Sequence, residues 1–184
     1  MKMDTPSRKE TDRNNYPPVN GIGRDERVGM VREIFTTIPE RYDFLNRVLS
    51  LRRDVAWRRF AVRKMRFFDT FSLLDVATGT ADLAIEAARR HPEIQVTGID
   101  FVREMLAPGR QKITERGFAG RIWIIQADAM TLPFPDGSFD AVGIAFGIRN
   151  MPDRLRALRE MRRVLVPGGS VCILEMNAPR NRLW

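Results

Sequence analysis

Acidic and small residues recur along the chain at intervals that suit a ligand-binding edge of a sheet. Residues 75–82 read DVATGTAD and follow an apolar run. Asp100 and Asp128 each follow a further strand-like run, and Asp100 stands 21 residues after Gly79. Carboxylates accept hydrogen bonds from hydroxyl and amino groups, and amides at the start of a helix bind a ligand carboxylate. The pattern predicts a nucleotide-binding site.

These residues must be positioned by short strands that alternate with helices. The apolar runs and turn residues predict strands over 71–76, 94–99, 121–126, 139–146 and 171–175. They predict helices over 81–90, over 103–116 and from Asp153 to the Pro167-Gly168-Gly169 turn. The apolar side of the last helix is predicted to carry Leu155, Leu158, Met161 and Leu165. Pro108 is expected to kink or break the second helix. The alternation implies right-handed crossovers and a doubly wound, mainly parallel α/β sheet covered on both faces. Ligands of such sheets bind beyond the carboxyl ends of the strands.

The chain divides into three predicted regions. Residues 1–27 are polar and contain prolines and glycines, so we expect a disordered tail. Residues 28–69 carry apolar residues at helical spacing and are predicted to form a helical extension, in which Ser50 caps the third helix. Residues 70–184 form the predicted nucleotide-binding domain.

The loop sequence favours one nucleotide over another. The dinucleotide fingerprint G-x-G-x-x-G would fall on Gly79, Ala81 and Ala84, of which only the first is glycine. The second glycine of that fingerprint lets the backbone approach a pyrophosphate. S-adenosylmethionine carries no phosphate, so a methyl group at position 81 is acceptable for it. Asp100 suits ribose hydroxyls, as it would in an NAD site, and Asp128 with Ala129 suits an adenine edge.

The composition narrows the functional classes. The net charge of +8 favours an anionic partner. With one cysteine, Cys172, and one histidine, His91, neither a disulfide framework nor a zinc site is predicted. We interpret Cys172 as a core residue and His91 as a helix end. No apolar run approaches the roughly 20 residues of a membrane span, and no nucleic-acid-binding motif accompanies the arginines. A cytoplasmic protein that binds no nucleic acid is expected.

Several segments resemble the successive motifs of the ubiquinone/menaquinone biosynthesis C-methyltransferase family. They are DVATGTADLAI, GIDFVREMLA, ADAMTLPFPDGSFDAVGIAFGIRNMPD and RVLVPGGSVCILE, with RYDFLNRVLSLRRDVAWRR upstream. The resemblance covers about residues 28–179. PFPDGSFDAV is widespread among class I methyltransferases, whereas FGIRNMPD and YDFLNRVLS are specific to the family.

The resemblance implies a class I, Rossmann-like methyltransferase fold and S-adenosylmethionine as the cofactor. Together with the loop residues, it predicts a cofactor site of Asp75, Ala77, Thr78, Gly79, Thr80, Asp100, Phe101, Asp128, Ala129 and Ala145. The implied substrate is a polyprenylated quinol, either demethylmenaquinol or a methoxy-benzoquinol, methylated on a ring carbon.

The resemblance also implies a substrate-binding and catalytic group of Arg149 and Asn150, with Tyr42 closing over the donor. Arg149 would stabilise a phenolate or orient a water that takes its proton, and Asn150 would hydrogen-bond the ring oxygen. A surface ion pair is the alternative for Arg149. Because the substrate carries a lipid tail, the basic and aromatic stretch 52–68 is expected to contact the inner membrane face, unless its aromatic residues pack on the sheet.

The chain departs from the family pattern in several places. The family pattern usually has a different residue at each of four positions, which are Ala81, Arg52, Val166 and Asn177 here. Five strands are predicted where a full class I sheet has seven, so we expect the last two to be lacking and a sheet edge to be open to pairing, a homo-oligomer being one option. A non-catalytic S-adenosylmethionine-binding protein and a methyltransferase for another small molecule therefore stay as alternatives.

Overall fold

The computed structural model describes residues 53–176, together with Gly29, Glu33 and Ser50. Gly29 and Glu33 are helical. The predictions for the tail 1–27, for the remainder of the first two helices, and for Tyr42, Arg52 and Asn177 lie outside the described residues.

Strands and helices alternate along the described chain. The elements are helix α1 (Arg53–Lys64), strand β1 (Ser72–Val76), α2 (Asp82–Arg90), β2 (Gln95–Asp100), α3 (Arg103–Glu115), β3 (Ile122–Gln126), β4 (Phe139–Ala145), a 3-10 helix (Ile148–Asn150), α4 (Arg154–Arg163) and β5 (Leu165–Leu174). The five strands form one parallel sheet in the order β3-β2-β1-β4-β5. The predicted doubly wound α/β fold is confirmed.

The core consists of two apolar clusters on opposite faces of the sheet. Successive residues of β1 point to different clusters, because side chains alternate across a strand: Leu73 belongs to one and Leu74 to the other. The first cluster includes residues of α1, α2 and α3, and the second includes Ala157 and Met161 of α4. Both faces are therefore covered, which accounts for the near-continuous apolar runs of the inner strands.

The connection order reverses between β1 and β4. β2 pairs with one side of β1 and β4 with the other, so that Val76 is in register with both Ile99 and Ile144. The chain segments that follow these three residues consequently leave the sheet at one level. A reversal of this kind opens a crevice at the carboxyl ends of the strands, and this is where ligands bind in such sheets.

Three local predictions differ from the structure, two of them wholly and the one for Pro108 in part. β5 begins at Leu165 and includes Pro167 and Gly168, because a bulge against β4 accommodates them: the register passes from Phe139↔Leu165 to Ala141↔Ser170, and Gly168 has φ +86°. α3 continues through Pro108, so the helix does not break there, since a proline removes one backbone hydrogen bond while its neighbours can keep theirs; the kink at Pro108 stays a prediction.

The third concerns Leu155, which is exposed in the first turn of α4, where Ala157 and Met161 form the buried face. The predicted helix caps are confirmed for Asp153, whose carboxylate accepts from the Arg156 amide, and for His91 at the end of α2. Cys172 is partly buried against the core, and burial raises the pKa of its thiol. Within the described part of the chain, no helix is long and apolar enough to cross a membrane.

Candidate functional site

Asp75, at the end of β1, organises the loop that follows it. Its carboxylate is buried and accepts hydrogen bonds from Thr78 Oγ1 at 2.7 Å and from the Ala84 amide at 3.2 Å. Burial raises the pKa of Asp75 to about 7, against the lowering effect of these two hydrogen bonds and of the nearby Arg58 charge. The carboxylate thus ties the loop to the first turn of α2.

Asp100 connects the ends of β1 and β2. One carboxylate oxygen accepts from the Gly79 amide at 2.8 Å, and the other accepts from the Val102 amide at 2.9 Å. Burial raises the pKa of this carboxyl group, with the backbone hydrogen bonds acting in the opposite direction. The 21-residue spacing seen in the sequence therefore corresponds to a direct contact between the acidic residue and the loop.

A glycine on β2 leaves the space that the loop occupies. A Cβ atom on Gly98 would lie 2.7 Å from Ile124 Cγ2 and 2.8 Å from Thr78 Oγ1, closer than real contacts allow. The Thr78 amide also donates to the Ile99 carbonyl at 2.8 Å. The position of the Thr78 hydroxyl beside Asp75 thus depends on the absence of a side chain at position 98.

Ala81 precedes α2 in a conformation that glycine adopts more easily. Its φ is +65°, in the left-handed region, where a residue with a Cβ atom is disfavoured by roughly 1–2 kcal/mol. Its methyl group is fully buried in the core. Alanine was expected to be acceptable here because its methyl group is small. The structure adds a second reason, since burial of that methyl group offsets the backbone strain.

A cavity opens between this loop, α1 and the end of β4. It is lined by Arg58, Asp75, Ala77, Thr78, Gly79, Thr80, Asp82, Leu83 and Ala145. Six of the residues predicted to bind the cofactor therefore lie together. The sequence reasoning missed Arg58, Asp82 and Leu83. Asp82 had a signal, since it closes the DVATGTAD segment, whereas Arg58 stood inside a basic run that was assigned to the surface.

The other predicted cofactor residues lie at the same edge without lining this cavity. Asp128, after β3, accepts a hydrogen bond from the Met130 amide at 2.8 Å, within its own turn. Ala129 is partly buried in that turn, which adjoins β2 because the Ala127 amide donates to the Asp100 carbonyl. Phe101 is 46% exposed. These residues form a second part of the edge, beyond Asp100.

Arg149 and Asn150 occupy the 3-10 helix that follows β4. The Arg149 guanidinium contacts Glu175 Oε1 through Nη1 at 2.6 Å, and the Arg149 amide donates to Oε2 at 3.4 Å. Glu175 follows β5, and the sequence reasoning did not select it, although it too is an acidic residue at a strand end. The ion pair that was the alternative for Arg149 is present, and it lies at the sheet edge that carries the cavity.

The charges of the cavity suit some ligands better than others. Its described lining contains two aspartates, Asp75 and Asp82, and one cation, Arg58. Asp100 lies next to it, bonded to the Gly79 amide. Carboxylates attract a cationic ligand and accept from ribose hydroxyls, but they repel a pyrophosphate. Among the described residues, no group of three histidine, cysteine or acidic side chains is placed to hold a metal ion.

Comparison with known proteins identifies relatives of the chain. The model of the ubiE/COQ5 methyltransferase family matches residues 22–184. A "Ubiquinone/menaquinone biosynthesis C-methyltransferase UbiE" of Geotalea daltonii is 53% identical over 151 residues, which are 82% of this chain and 64% of the relative. A "Demethylmenaquinone methyltransferase" of Deinococcus radiodurans is 45% identical over 170 residues, which are 92% of this chain and 69% of the relative. The chain spans about two thirds of the length of these curated relatives.

Solved structures share the fold. The crystal structure of the "[4+2]-Cyclase SpnF" has a TM-score of 0.62 and 34% identity, covering 66% of this chain and 44% of that one. A "SAM dependent methyltransferase from Aquifex aeolicus" has a TM-score of 0.60 and 20% identity, covering 68% and 66%. Because one of these is described as a cyclase, the likeness in fold does not by itself specify the reaction.

Proposed function

Because the chain belongs to the ubiE/COQ5 methyltransferase family, we propose that it binds S-adenosylmethionine at the carboxyl edge of its sheet and that the whole protein methylates a ring carbon of a polyprenylated quinol. The observation that carries the proposal is the direct hydrogen bond between the Gly79 amide and the Asp100 carboxylate. It supports the proposal because it brings the small-residue loop next to the Asp100 carboxylate, to which we assign the ribose hydroxyls, beside a cavity lined with carboxylates.

Different residues at this edge of the sheet would bind different parts of the cofactor. Asp100 accepts from the ribose hydroxyls, and the loop from Ala77 to Thr80 holds the amino-acid portion. Asp128 and Ala129 hold the adenine edge, with Phe101 exposed next to them. The chemistry that the cofactor supplies there is an electrophilic methyl group.

Arg149 and Asn150 act on the quinol. A phenolic oxygen that loses its proton carries a negative charge, and this charge raises the electron density of the neighbouring ring carbon. The guanidinium stabilises that charge. The phenolic proton passes to a water that Arg149 orients, and Asn150 hydrogen-bonds the ring oxygen. The ring carbon would form its bond to the methyl group as the carbon–sulfur bond of the donor breaks, which leaves a neutral thioether. The hydrogen of that ring carbon would then pass through water to the phenolate oxygen, which restores the aromatic quinol. Glu175 supports this role because it holds the guanidinium and the Arg149 amide at the end of β4.

Two measurements test the proposal. Calorimetric titration of the chain with S-adenosylmethionine is expected to show binding that Asp100→Ala weakens by about tenfold or more, since a hydrogen-bonded carboxylate is lost. Methyl transfer is then measured with prenylated demethylmenaquinol, prenylated methoxy-benzoquinol, their tail-less analogues and polar phenols. A prenylated quinol is expected to be methylated best. Donor binding without methylation of any quinol would instead support the non-catalytic alternative, and preference for a polar phenol another substrate class.

A membrane surface is where the protein would meet this substrate, and exposed aromatic rings of the extension suit such a surface. Trp57, Phe60 and Phe68 are 36%, 60% and 51% exposed. Exposed cations interleave with these rings, and the Lys64 Nζ lies 5.4 Å from the centre of the Phe60 ring. Aromatic rings and cations side by side favour the interface of an anionic bilayer. We place the protein as a peripheral protein at the cytoplasmic side of the inner membrane.

Vesicle sedimentation tests this placement. Binding is expected to be stronger to vesicles with anionic lipid than to zwitterionic ones and to weaken with salt. Phe60→Ser combined with Phe68→Ser should reduce it several-fold, because two exposed rings are removed. Trp123→Ser, which removes an exposed ring on β3, is the matched control. Equal binding by both variants would refute the assignment of these rings to the membrane contact.

A further inference from the structure

Among the described residues, the cavity is lined by one cation, Arg58, to which the proposed function assigns no ligand. Arg58 belongs to α1, outside the sheet domain, yet its side chain is only 9% exposed and lines the cavity with residues of the segment from Asp75 to Leu83. We propose that Arg58 binds the carboxylate of the amino-acid portion of S-adenosylmethionine. The inference rests on the proposed function and extends it with a residue for donor recognition.

The guanidinium is held in place by its own helix. Arg58 Nη1 lies 2.5 Å from Asp54 Oδ2, one helical turn earlier. Ser50 Oγ in turn donates to Asp54 Oδ1 at 2.7 Å. The guanidinium carbon lies 5.3 Å from the centre of the Phe146 ring, which follows β4. These contacts orient the arginine before any ligand arrives, so little side-chain entropy is lost on binding.

The guanidinium retains donors for a further acceptor. Both carboxylate contacts that it makes with described residues involve Nη1, the second being Asp82 Oδ2 at 3.6 Å. Asp82 has a shorter contact with Lys112 Nζ, at 2.7 Å. Arginine carries five N–H donors in a planar fork that matches a carboxylate. The remaining face of the fork is thus suited to a carboxylate that enters the cavity.

The charges around the cavity favour such a partner. S-adenosylmethionine carries an ammonium and a sulfonium, which the aspartates attract, but also a carboxylate, which they repel. Among the described lining residues, Arg58 is the cation that can compensate this repulsion. The inference therefore commits to the α-carboxylate of the donor and not to a phosphate.

The test compares two ligands that differ only in this group. Calorimetric titration is carried out with S-adenosylmethionine and with decarboxylated S-adenosylmethionine, which retains the sulfonium and the ammonium. The wild-type chain is expected to prefer the carboxylated ligand by about tenfold or more, as for a hydrogen bond between charged groups. Arg58→Met should lose most of this preference, and Arg58→Lys should retain part of it. Arg63→Met, an exposed arginine of the same helix, should keep the wild-type ratio.

A second variant covers the case in which Arg58→Met does not fold. Asp54→Asn with Arg58→Met removes both members of the buried pair, so that no unpaired buried charge remains. It is expected to lose the preference as well. If the wild type binds S-adenosylmethionine and a folded variant without Arg58 keeps the preference, the inference is wrong while the proposed function stands. If the wild type binds neither ligand, the proposed donor function itself fails.

Discussion

Arg149 and Glu175 are joined by a contact of 2.6 Å between Nη1 and Oε1, although they stand 26 positions apart in the chain. The pair links the segment after β4 to the segment after β5. Its carboxylate also accepts from the Arg149 amide, and the Arg149 carbonyl accepts from Arg154 Nη2 at 3.1 Å. Both the backbone and the side chain of Arg149 are therefore held at the sheet edge.

Glu175→Gln should lower the rate of quinol methylation more than the affinity for the donor. The variant keeps the size of the side chain but loses the charge that orients the guanidinium. A displacement of a reacting or stabilising group by about 1 Å can cost up to about a hundredfold in rate, so we expect a loss of about tenfold in kcat. Its thermal stability should change little, because ion pairs with an exposed partner contribute only about 0–1 kcal/mol.

Glu175→Asp is the companion variant, which keeps the charge and should recover part of the rate. Steady-state kinetics with S-adenosylmethionine titrated separately measures both quantities. A large rise in the donor KM with kcat unchanged would contradict the positioning role.

Asp75 should make the stability of the fold depend on pH. Its pKa is raised from 3.8 in the unfolded chain to about 7 in the fold. Between these values the folded state binds more protons than the unfolded state, so the free energy of unfolding falls as the pH rises from about 4 to about 7. Above pH 7 both states are ionised and the dependence ends.

Asp75→Asn removes this titration. The difference in the free energy of unfolding between the wild type and the variant should therefore change by a few kcal/mol across that pH range, in favour of the variant at higher pH. Urea unfolding at several pH values measures it, with the exposed Asp69→Asn as control. A constant difference would show that Asp75 titrates at its ordinary pKa in the fold.

Asp140 should be a large contributor to stability without touching the cavity. It is fully buried on β4, and its carboxylate accepts from the amides of Asp69, Thr70 and Phe71, just before β1. Asp140→Ala leaves three donors without their acceptor, so we expect a loss of about 3 kcal/mol or more. Thermal unfolding should show a decrease in Tm of roughly 6–12 °C. A decrease below about 2 °C would mean that water replaces the carboxylate.

Gly98→Ala should displace the loop that follows β1. The added methyl group would lie 2.8 Å from Thr78 Oγ1, so it would displace the hydroxyl that donates to Asp75. We expect a loss of about 1–3 kcal/mol in stability, as for overpacking, and weaker binding of S-adenosylmethionine. The control is Gly120→Ala, where a Cβ would meet nothing within 4 Å. Equal behaviour of the two variants would contradict the packing argument.

The alternation of strands and helices was determined by the sequence alone. The apolar runs, the loop after β1 and the caps at Asp153 and His91 depend on interactions between residues close in the chain, and such interactions leave a local pattern. The strand-end acids could be placed at one edge because parallel strands end on the same side. The predicted residues Asp75 and Ala77–Thr80 therefore appear together around one cavity.

Other features were decided only by the tertiary structure, because they depend on which distant surfaces meet. The basic run of α1 contains Arg58, which the contacts with Asp82 and Phe146 draw into the cavity, and the exposed Arg63. Nothing in the local pattern distinguishes two arginines of one helix. Likewise, Glu175 meets Arg149 because β4 and β5 pair in a register that a bulge shifts. A register is selected by packing across the sheet, and a short sequence segment does not encode it.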